Sequence, residues 1–348
     1  MKSLSVVLPA AAILLASQAA WADTLSPLSY SNTVNVGDSV TIHKTLTVNS
    51  GAPTTSLVDV FFLADTTGSM GSAIANVKSN ISSIVASTSS LGNVQYAVGE
   101  YKDVGDSYVY RLDQSLTANN SLINAGVNLL SANGGGDYPE ADLYALTRAA
   151  SETYRPGSAR ILVWFGDAPS HDPSLGATQA STIAALNSVN IKVEAISLTS
   201  GGGLNDSNGT GGSNQGSAIA AATGGSMFTN INGSAIASVI ANSIINSFAT
   251  YSDVGLSLAA SDPGLSVSIT PADYLGSYDR SVTRTFNFDV TLTALTPGDH
   301  SVSINGLVDG GIVGTEIDTL HVNTEVPEPA SLSLLALGTV VLLSRRRR

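Results

Sequence analysis

Three nearly continuous apolar runs place the strongest constraint on how this chain can fold. They are residues 58–64 (VDVFFLA), 161–165 (ILVWF) and 191–198 (IKVEAISL). Such runs are typical of strands buried on both faces, which occur in parallel sheets covered by helices. Apolar side chains at helical spacing over residues 74–85 predict a crossover helix after the first run. Residues 56–250 are therefore predicted to form an α/β domain with a doubly wound, mostly parallel, Rossmann-like sheet.

Weaker patterns complete the predicted domain. Strands are predicted at residues 93–101, 107–111 and 227–229, and helices from Pro139 onward and over residues 235–248. Residues 201–216 (GGGLNDSNGTGGSNQG) contain no lysine. They are predicted to form a mobile, solvated loop near the edge of the sheet where ligands bind.

Polar side chains lie where the apolar strands end. Asp65, Thr67 and Ser69 follow the first strand, Asp167 follows the second, and Glu140 ends a glycine-rich segment. Ligands of such sheets bind at the carboxyl ends of the strands, so we expect these side chains to meet there. Their hard oxygen atoms, without thiolate or imidazole, suit Mg²⁺, Mn²⁺ or Ca²⁺ better than zinc.

The sequence D-T-T-G-S at residues 65–69, with Asp167 after a later strand, resembles a known metal centre. It is similar to the metal-ion-dependent adhesion site of von Willebrand factor type A domains, and the resemblance covers about residues 56–250. The resemblance implies that Asp65, Thr67, Ser69 and Asp167 surround the ion. Glu140 takes the third-loop position, because D-Y-P-E at residues 137–140 is similar to the version in integrin β-subunits. Such domains leave one metal position for an acidic residue of the partner.

The same resemblance implies a second site, of a calcium-binding type, beside the first. Its candidate ligands are Asp103, Asp137 and the carbonyl of Pro139. The acidic pair that follows the first motif in integrin β-subunits is missing here, since residues 70–73 contain no acid. The third, adjacent site of those subunits is therefore not expected.

Each candidate ligand also has a simpler explanation in local structure. The Asp65 motif could cap a helix, Asp137 and Glu140 could favour a helix N-terminus, and Asp167 could form a turn. Their occurrence together, in this order, favours the metal site.

Other catalytic motifs give no comparable signal. Ser170, His171 and Asp172 are the residue types of a triad, but adjacent residues rarely reach the required geometry. His171 is therefore interpreted as a residue at the rim of the metal loops. Neither a G-x-S-x-G elbow nor a P-loop occurs in the sequence.

The segments that flank the α/β domain have the alternating pattern of half-buried strands. Val40, Ile42, Leu46 and Val48 alternate with polar residues, and the pattern returns beyond residue 253. Because one or two strands cannot form a stable sheet alone, we expect residues 25–55 to pair with residues 252–324. This predicts an antiparallel β-sandwich into which the α/β domain is inserted. A separate sandwich that follows the domain is the alternative.

The two ends of the chain predict export. Residues 1–22 combine Lys2, an apolar stretch and Ala20-Trp21-Ala22, the pattern of a cleaved signal peptide. Residues 326–348 combine V-P-E-P, an apolar run and four arginines, which resembles the PEP-CTERM sorting signal. That resemblance implies an exosortase-type processing enzyme, transient inner-membrane association, and delivery to the surface or extracellular matrix of a bacterium with an outer membrane.

Charge and composition narrow the function further. The chain carries a net charge of −12 and no cysteine. This excludes a disulfide framework and argues against binding to nucleic acid, which needs clustered basic residues. The sequence predicts a non-enzymatic adhesion module that holds Mg²⁺, or Mn²⁺ or Ca²⁺, and binds a carboxylate of a protein or acidic polysaccharide. The alternatives are a matrix protein stabilised by the metal and, less favoured, a metal-dependent hydrolase.

Overall fold

The computed structural model describes residues 22–51, 57–207 and 214–324. Its strands are β1 (Thr24–Ser26), β2 (Ser29–Asn35), β3 (Ser39–Val48), β4 (Leu57–Asp65), β5 (Asn93–Tyr101), β6 (Tyr110–Thr117), β7 (Ala159–Gly166), β8 (Ile191–Leu198), β9 (Met227–Ile231), β10 (Thr250–Ala260), β11 (Leu265–Thr270), β12 (Asp273–Asp279), β13 (Arg284–Ala294), β14 (Gly298–Val308) and β15 (Gly311–Asn323). Its α-helices are α1 (Gly71–Thr88), α2 (Asn120–Leu129), α3 (Asp142–Ala150), α4 (Gln179–Ser188), α5 (Gln215–Ala222) and α6 (Ile236–Asn246).

The central segment forms a six-stranded sheet in the order β6-β5-β4-β7-β8-β9. Its strands are parallel except for β6, which pairs antiparallel with β5 at one edge. Side chains of α1, α2 and α6 pack on one face, and those of α3, α4 and α5 pack on the other. The α/β fold and the mostly parallel sheet predicted from the apolar runs are confirmed.

The strand order explains why the predicted ligands lie at one place. From β4 the chain adds β5 on one side and then β7 on the other, so the winding direction reverses at β4. The loops that follow β4 and β7 therefore leave the same edge of the sheet side by side. This reversal is the position at which ligands bind in open α/β sheets.

The flanking segments form two further sheets, in the orders β1-β3-β13-β11 and β12-β10-β14-β15-β2. Strands from before the α/β segment pair with strands from after it, β3 antiparallel with β13 and β2 parallel with β15. Buried side chains of both sheets form one hydrophobic cluster that includes Leu46, Phe288 and Leu320. We propose, on the strength of these pairings, that residues 25–55 and 252–324 form one sandwich into which residues 56–250 are inserted.

Three local expectations were wrong. The strand expected at residues 107–111 lies at Tyr110–Thr117, because its antiparallel register places Tyr110 opposite Tyr101. The helix expected from Pro139 begins at Asp142, since Glu140 pairs instead with a neighbouring loop. The stretch at 201–216 is not a solvated loop throughout: Leu204 is fully buried and α5 begins at Gln215.

Among the described residues, no helix is both long enough and apolar enough to cross a membrane. The predicted signal peptide and sorting tail lie outside the described residues.

Candidate metal centre

The loop after β4 orients its side chains through Asp65. The carboxylate oxygen Oδ1 of Asp65 accepts hydrogen bonds from the backbone N–H of Thr67 (2.8 Å) and from its hydroxyl (2.7 Å). Asp65 and Thr67 are both buried, whereas Ser69 is exposed. A hydroxyl that donates to a carboxylate keeps its lone pairs for another ligand. Thr67 is therefore held with an acceptor oxygen free.

Asp167, at the end of β7, joins the first loop to the second. Its Oδ1 atom accepts a hydrogen bond from the hydroxyl of Ser69 at 3.0 Å. Asp167 lies close enough to Asp65 for its charge to raise the pKa of that residue, and its carbonyl accepts a hydrogen bond from the N–H of Gly203 at 2.7 Å. Asp65, Thr67, Ser69 and Asp167 therefore lie together, although 98 positions separate Ser69 from Asp167.

Glu140 is positioned by its backbone. Its N–H donates to the carbonyl of Pro169 (2.9 Å), and its carbonyl accepts from the N–H of His171 (3.0 Å). These bonds fasten the third loop to the loop that follows Asp167. The Glu140 carboxylate lies beside Thr67 and close enough to Asp65 to feel its charge, so all five predicted ligands of the first site belong to one cluster.

Gly135 permits this close approach. Its φ is +88°, and a Cβ atom there would lie 3.2 Å from both Oε1 of Glu140 and Cβ of Thr67. The left-handed conformation and the narrow space both favour glycine at this position.

Burial and crowding raise the pKa values of the acids in the cluster. Burial raises the pKa of Asp65 to about 7, a value to which the charge of Asp167 also contributes. Burial raises the pKa of Glu140 to about 10, with further contributions from the charges of Asp65, Asp142 and Asp103. The pKa of Asp142, raised by burial and then by the charge of Asp65, is about 8. The carboxylates therefore repel one another when no additional cation lies between them.

Three carboxylate oxygens in the cluster accept no hydrogen bond from the described residues. They are Oδ2 of Asp65, Oε2 of Glu140 and Oδ2 of Asp167, all buried. Buried anionic oxygens without partners are costly. The donor set consists of carboxylates and hydroxyls, which are the ligands that Mg²⁺, Mn²⁺ and Ca²⁺ prefer. The residues present therefore fit a hard divalent cation.

A second cluster lies beside the first. Ligand atoms of Asp103, Asp137 and His171 all lie within 4.8 Å of one another. The Nε2 atom of His171 is 3.5 Å from Oδ1 of Asp103 and 3.4 Å from Oδ1 of Asp137. The structure thus brings two predicted second-site ligands together and adds a histidine that sequence reasoning placed only at the rim. Pro139 lies between Asp137 and Glu140 in sequence, and its carbonyl remains a predicted ligand.

A family model described as "von Willebrand factor A domain" matches residues 59–232, which is half of the chain. The chain belongs to the von Willebrand factor A family. A second model, the PEP-CTERM protein-sorting motif, matches residues 325–348. The resemblances to this family and to this sorting signal are both confirmed. A von Willebrand A domain with a PEP-CTERM signal indicates an exported adhesion or interaction module, sorted to the cell surface or beyond and processed by an exosortase-type enzyme.

The solved structures that match this chain are distant from it in sequence. A von Willebrand factor type A protein from Catenulispora acidiphila is 15% identical, with 90% of this chain and 75% of that chain covered and a TM-score of 0.45. The pilus adhesin SpaC from Lactobacillus rhamnosus GG, in its open conformation, is 11% identical, with 86% and 46% covered and a TM-score of 0.40. This chain therefore spans less than half the length of that adhesin. No curated protein matches it.

Ser170 and His171 have positions in this von Willebrand A domain that differ from those of a triad. The hydroxyl of Ser170 donates to the carbonyl of Glu140 and accepts from the N–H of Leu143, at the start of α3. The ring of His171 faces Asp103 and Asp137 instead. Both residues therefore contact the loops that carry the predicted metal ligands.

Sequence reasoning missed a buried lysine beside the loops that carry the predicted metal ligands. The Nζ atom of Lys102 donates to the backbone carbonyls of Thr66, Asn133 (2.6 Å) and Ser131 (3.2 Å). Burial lowers the pKa of Lys102, although the surrounding acids raise it again. Lys102 therefore ties the first loop to the glycine-rich third loop.

Sequence reasoning also missed a buried carboxylate under Glu140. Oδ1 of Asp142 accepts hydrogen bonds from the hydroxyl of Tyr101 (2.5 Å) and from Nε1 of Trp164 (3.2 Å). All three side chains are fully buried. The one available signal in the sequence is that Asp142 follows Glu140 by two residues, which a helix N-terminus explains equally well.

Proposed function

We propose that this exported von Willebrand A protein binds Mg²⁺, or Mn²⁺ or Ca²⁺, and through it captures an acidic group of a partner. The observation that carries the proposal is the set of three buried carboxylate oxygens without hydrogen-bond partners, on Asp65, Glu140 and Asp167. They converge from three separate loops. The alternative of helix caps and turns accounts for each residue alone, but not for their convergence.

Three of the five residues would bind the ion directly, and the other two orient those ligands. The hydroxyls of Thr67 and Ser69 and the carboxylate of Glu140 would hold the ion. Asp65 and Asp167 accept hydrogen bonds from these hydroxyls and so fix the direction of their lone pairs. Bound metal-ion ligands depend on such outer partners for orientation. The ion would supply a positive charge that accepts one more oxygen ligand.

Exposure and charge indicate what that ligand is. Ser69 is exposed whereas the other four predicted ligands are buried, so the ion would be approached from the Ser69 side. The site without an ion is strongly acidic and repels anions. Capture of a carboxylate therefore requires the cation, and partner binding should disappear when the cation is removed.

The cluster of Asp103, Asp137 and His171 supports a second cation, of the calcium type, beside the first. The charge of Asp103 acts on Glu140, so an ion held by Asp103 would lower the cost of ionising Glu140. The second ion would thereby help the first to bind. Pro139 would contribute its carbonyl.

Cation-dependent capture tests the proposal. Extracellular matrix from the producing bacterium, which we expect to have an outer membrane, is passed over immobilised full chain with Mg²⁺ or with a chelator. We expect a partner that elutes with the chelator and that does not bind Ser69→Ala. Ser72→Ala, on an exposed position of α1, is the matched control and should bind normally. Equal capture with and without the cation contradicts the adhesion function and, if Mg²⁺ still stabilises the chain, favours the structural alternative.

The metal-free chain is expected to lose stability as the pH rises from about 5 to about 8. Asp65, Asp142 and Glu140 have pKa values of about 7, 8 and 10 in the folded chain, against about 4 when unfolded. Their contribution is complete below the unfolded values and is lost as the pH rises through the folded values. Mg²⁺ must displace these protons, so its stabilising effect should grow over the same range.

Calorimetric melting temperatures, measured with Mg²⁺ and with a chelator at each pH, check this dependence. A Mg²⁺ effect that is larger at about pH 5 than at about pH 8 would contradict it.

A further inference from the structure

Three charged side chains are buried together in the core between the two sheets that flank the α/β segment. Lys44 of β3 is 0% exposed, and Glu316 and Asp318 of β15 are 1% and 0% exposed. The Nζ atom of Lys44 donates to Oδ1 of Asp318 at 2.8 Å and to Oε2 of Glu316. Lys44 thus contacts both acids across the core, from one sheet to the other.

The strand pattern shows that these residues occupy core positions. Side chains along a strand alternate between its two faces. Lys44 stands between the buried residues Ile42 and Leu46 on the inward face of β3. On β15 the acids point inward while Ile317, between them, is 56% exposed. The chain therefore places charge where apolar residues would ordinarily lie.

The negative charge of this cluster exceeds its positive charge, and some of its oxygens lack hydrogen-bond partners. One ammonium faces two carboxylates, and Oε1 of Glu316 and Oδ2 of Asp318 have no hydrogen-bond partner among the described residues. Buried ion pairs often fail to repay the cost of desolvation even when every polar atom is satisfied. Salt bridging alone therefore does not explain why Lys44, Glu316 and Asp318 occupy core positions.

We propose that Lys44 and Asp318 react to form an intramolecular amide bond. The bond forms between Nζ of Lys44 and Cγ of Asp318, and one C–O bond of Asp318 breaks. The ammonium loses two protons, which leave with the departing oxygen as one water molecule, and the amide nitrogen keeps the third. The reaction is a condensation in which nothing is oxidised or reduced. No co-reactant is required.

Placement and burial both favour this reaction. Groups held in contact within a rigid core react with effective concentrations on the order of 10⁵ M or more. The amide is neutral, so its formation removes the unfavourable pair of charges from the apolar interior. Water, which would reverse the reaction, is excluded from the three side chains by their burial.

Glu316 is placed to move the protons. Its Oε2 atom accepts a hydrogen bond from the same Nζ atom that contacts Asp318. Burial raises the pKa of Glu316, so its carboxylate takes up a proton more readily than an exposed one. Glu316 can accept a proton from the Lys44 nitrogen and pass one to the departing oxygen of Asp318.

The cross-link would join segments that are 274 positions apart in sequence. It would close a loop that contains the whole von Willebrand A domain and would fasten the sheet of β3 to the sheet of β15. The chain has no cysteine, so it has no disulfide to perform this task. A covalent clamp of this kind suits an exported protein that must keep its shape outside the cell.

Intact mass spectrometry of the purified full chain tests the proposal. We expect the denatured wild-type chain to weigh one water molecule less than its sequence requires. Lys44→Arg, prepared identically, keeps the positive charge but should show its full mass. Lys192→Arg is the matched control, because Lys192 also pairs with an aspartate (Asp309, 3.1 Å) in a less buried site. It should retain the loss of one water.

Fragmentation of a protease digest locates the bond. We expect one cross-linked peptide that joins Lys44 to Asp318, and slower formation of this peptide in Glu316→Gln. A wild-type chain of full mass would overturn the proposal, whatever the stability of the variants. A peptide that joins Lys44 to Glu316 would overturn the assignment of Asp318 as the reacting acid.

Discussion

Replacing Asp65 with Asn is expected to abolish the rise in melting temperature that Mg²⁺ gives the wild-type chain. Asp65 holds the hydroxyl of Thr67 at 2.7 Å and contributes a buried oxygen without a partner. The substitution removes both the charge that attracts the ion and one acceptor of the cluster. At about 100 times its dissociation constant, Mg²⁺ should stabilise the wild type by about 2.7 kcal/mol and the variant by almost nothing.

The same variant should be more stable than the wild type when no metal is present. Burial raises the pKa of Asp65 to about 7. Near neutral pH this carboxyl ionises more easily in the unfolded chain than in the folded chain, and this difference lowers the free energy of unfolding. Each pKa unit corresponds to about 1.4 kcal/mol. We therefore expect the neutral amide of Asn to raise the free energy of unfolding by an amount on the order of a few kcal/mol. A purely structural role of Asp65 predicts the opposite sign.

Melting curves with Mg²⁺ and with a chelator measure both effects. Asp299→Asn, at a side chain that is 79% exposed on β14, is the control and should respond to Mg²⁺ like the wild type. An undiminished Mg²⁺ response in Asp65→Asn would remove Asp65 from the site.

Replacing Lys102 with Met is expected to destabilise the chain by about 3–5 kcal/mol, the range for a broken buried charge interaction. Three backbone carbonyls, of Thr66, Ser131 and Asn133, would lose their shared donor. Nearby acids would also lose a compensating positive charge. Because these carbonyls belong to the loops that carry the predicted ligands, the affinity for Mg²⁺ should fall as well.

Denaturant unfolding and calorimetric titration with Mg²⁺ test this prediction. Lys78→Met is the matched control, since Lys78 donates to a single carbonyl (Asn128, 3.0 Å) in an exposed position. It should change stability by less than about 0.5 kcal/mol. Wild-type stability and affinity in Lys102→Met would mean that the lysine does not organise the loops.

The α/β part of the fold could be predicted because its buried strands are long apolar runs in the sequence. Residues 58–64 and 191–198 are apolar enough to be strands covered on both faces, and the structure has β4 and β8 there. The positions of Asp65 and Asp167 followed from the rule that strand ends meet at one edge. Their nearness therefore required no knowledge of side-chain packing.

The parts that escaped prediction depend on tertiary contacts. Lys102 is an ordinary lysine in sequence, and only the folded loops bring three carbonyls to it. His171 was predicted to lie at the rim, but it belongs to the second cluster because its loop pairs with Glu140. Strand β6 lies later in the sequence than predicted, because its pairing with β5, and not local propensity, sets its position.

The buried cluster of Lys44, Glu316 and Asp318 could have been recognised from the sequence, but the signal was not used. The alternation in β3 assigns Lys44 to the same face as Ile42 and Leu46. The same parity assigns Glu316 and Asp318 to the inward face of β15. A charged residue at an inward position therefore marks a place where the chain uses its core for more than packing.

Anomalous diffraction from crystals grown with Mn²⁺ tests the central claim most directly. The account predicts a peak bounded by Oγ1 of Thr67, Oγ of Ser69 and the carboxylate of Glu140, at distances of about 2.0–2.3 Å. Asp65 and Asp167 should lie just beyond it, still bonded to the two hydroxyls. A peak that excludes these three ligands, or no peak at saturating Mn²⁺, would contradict the account.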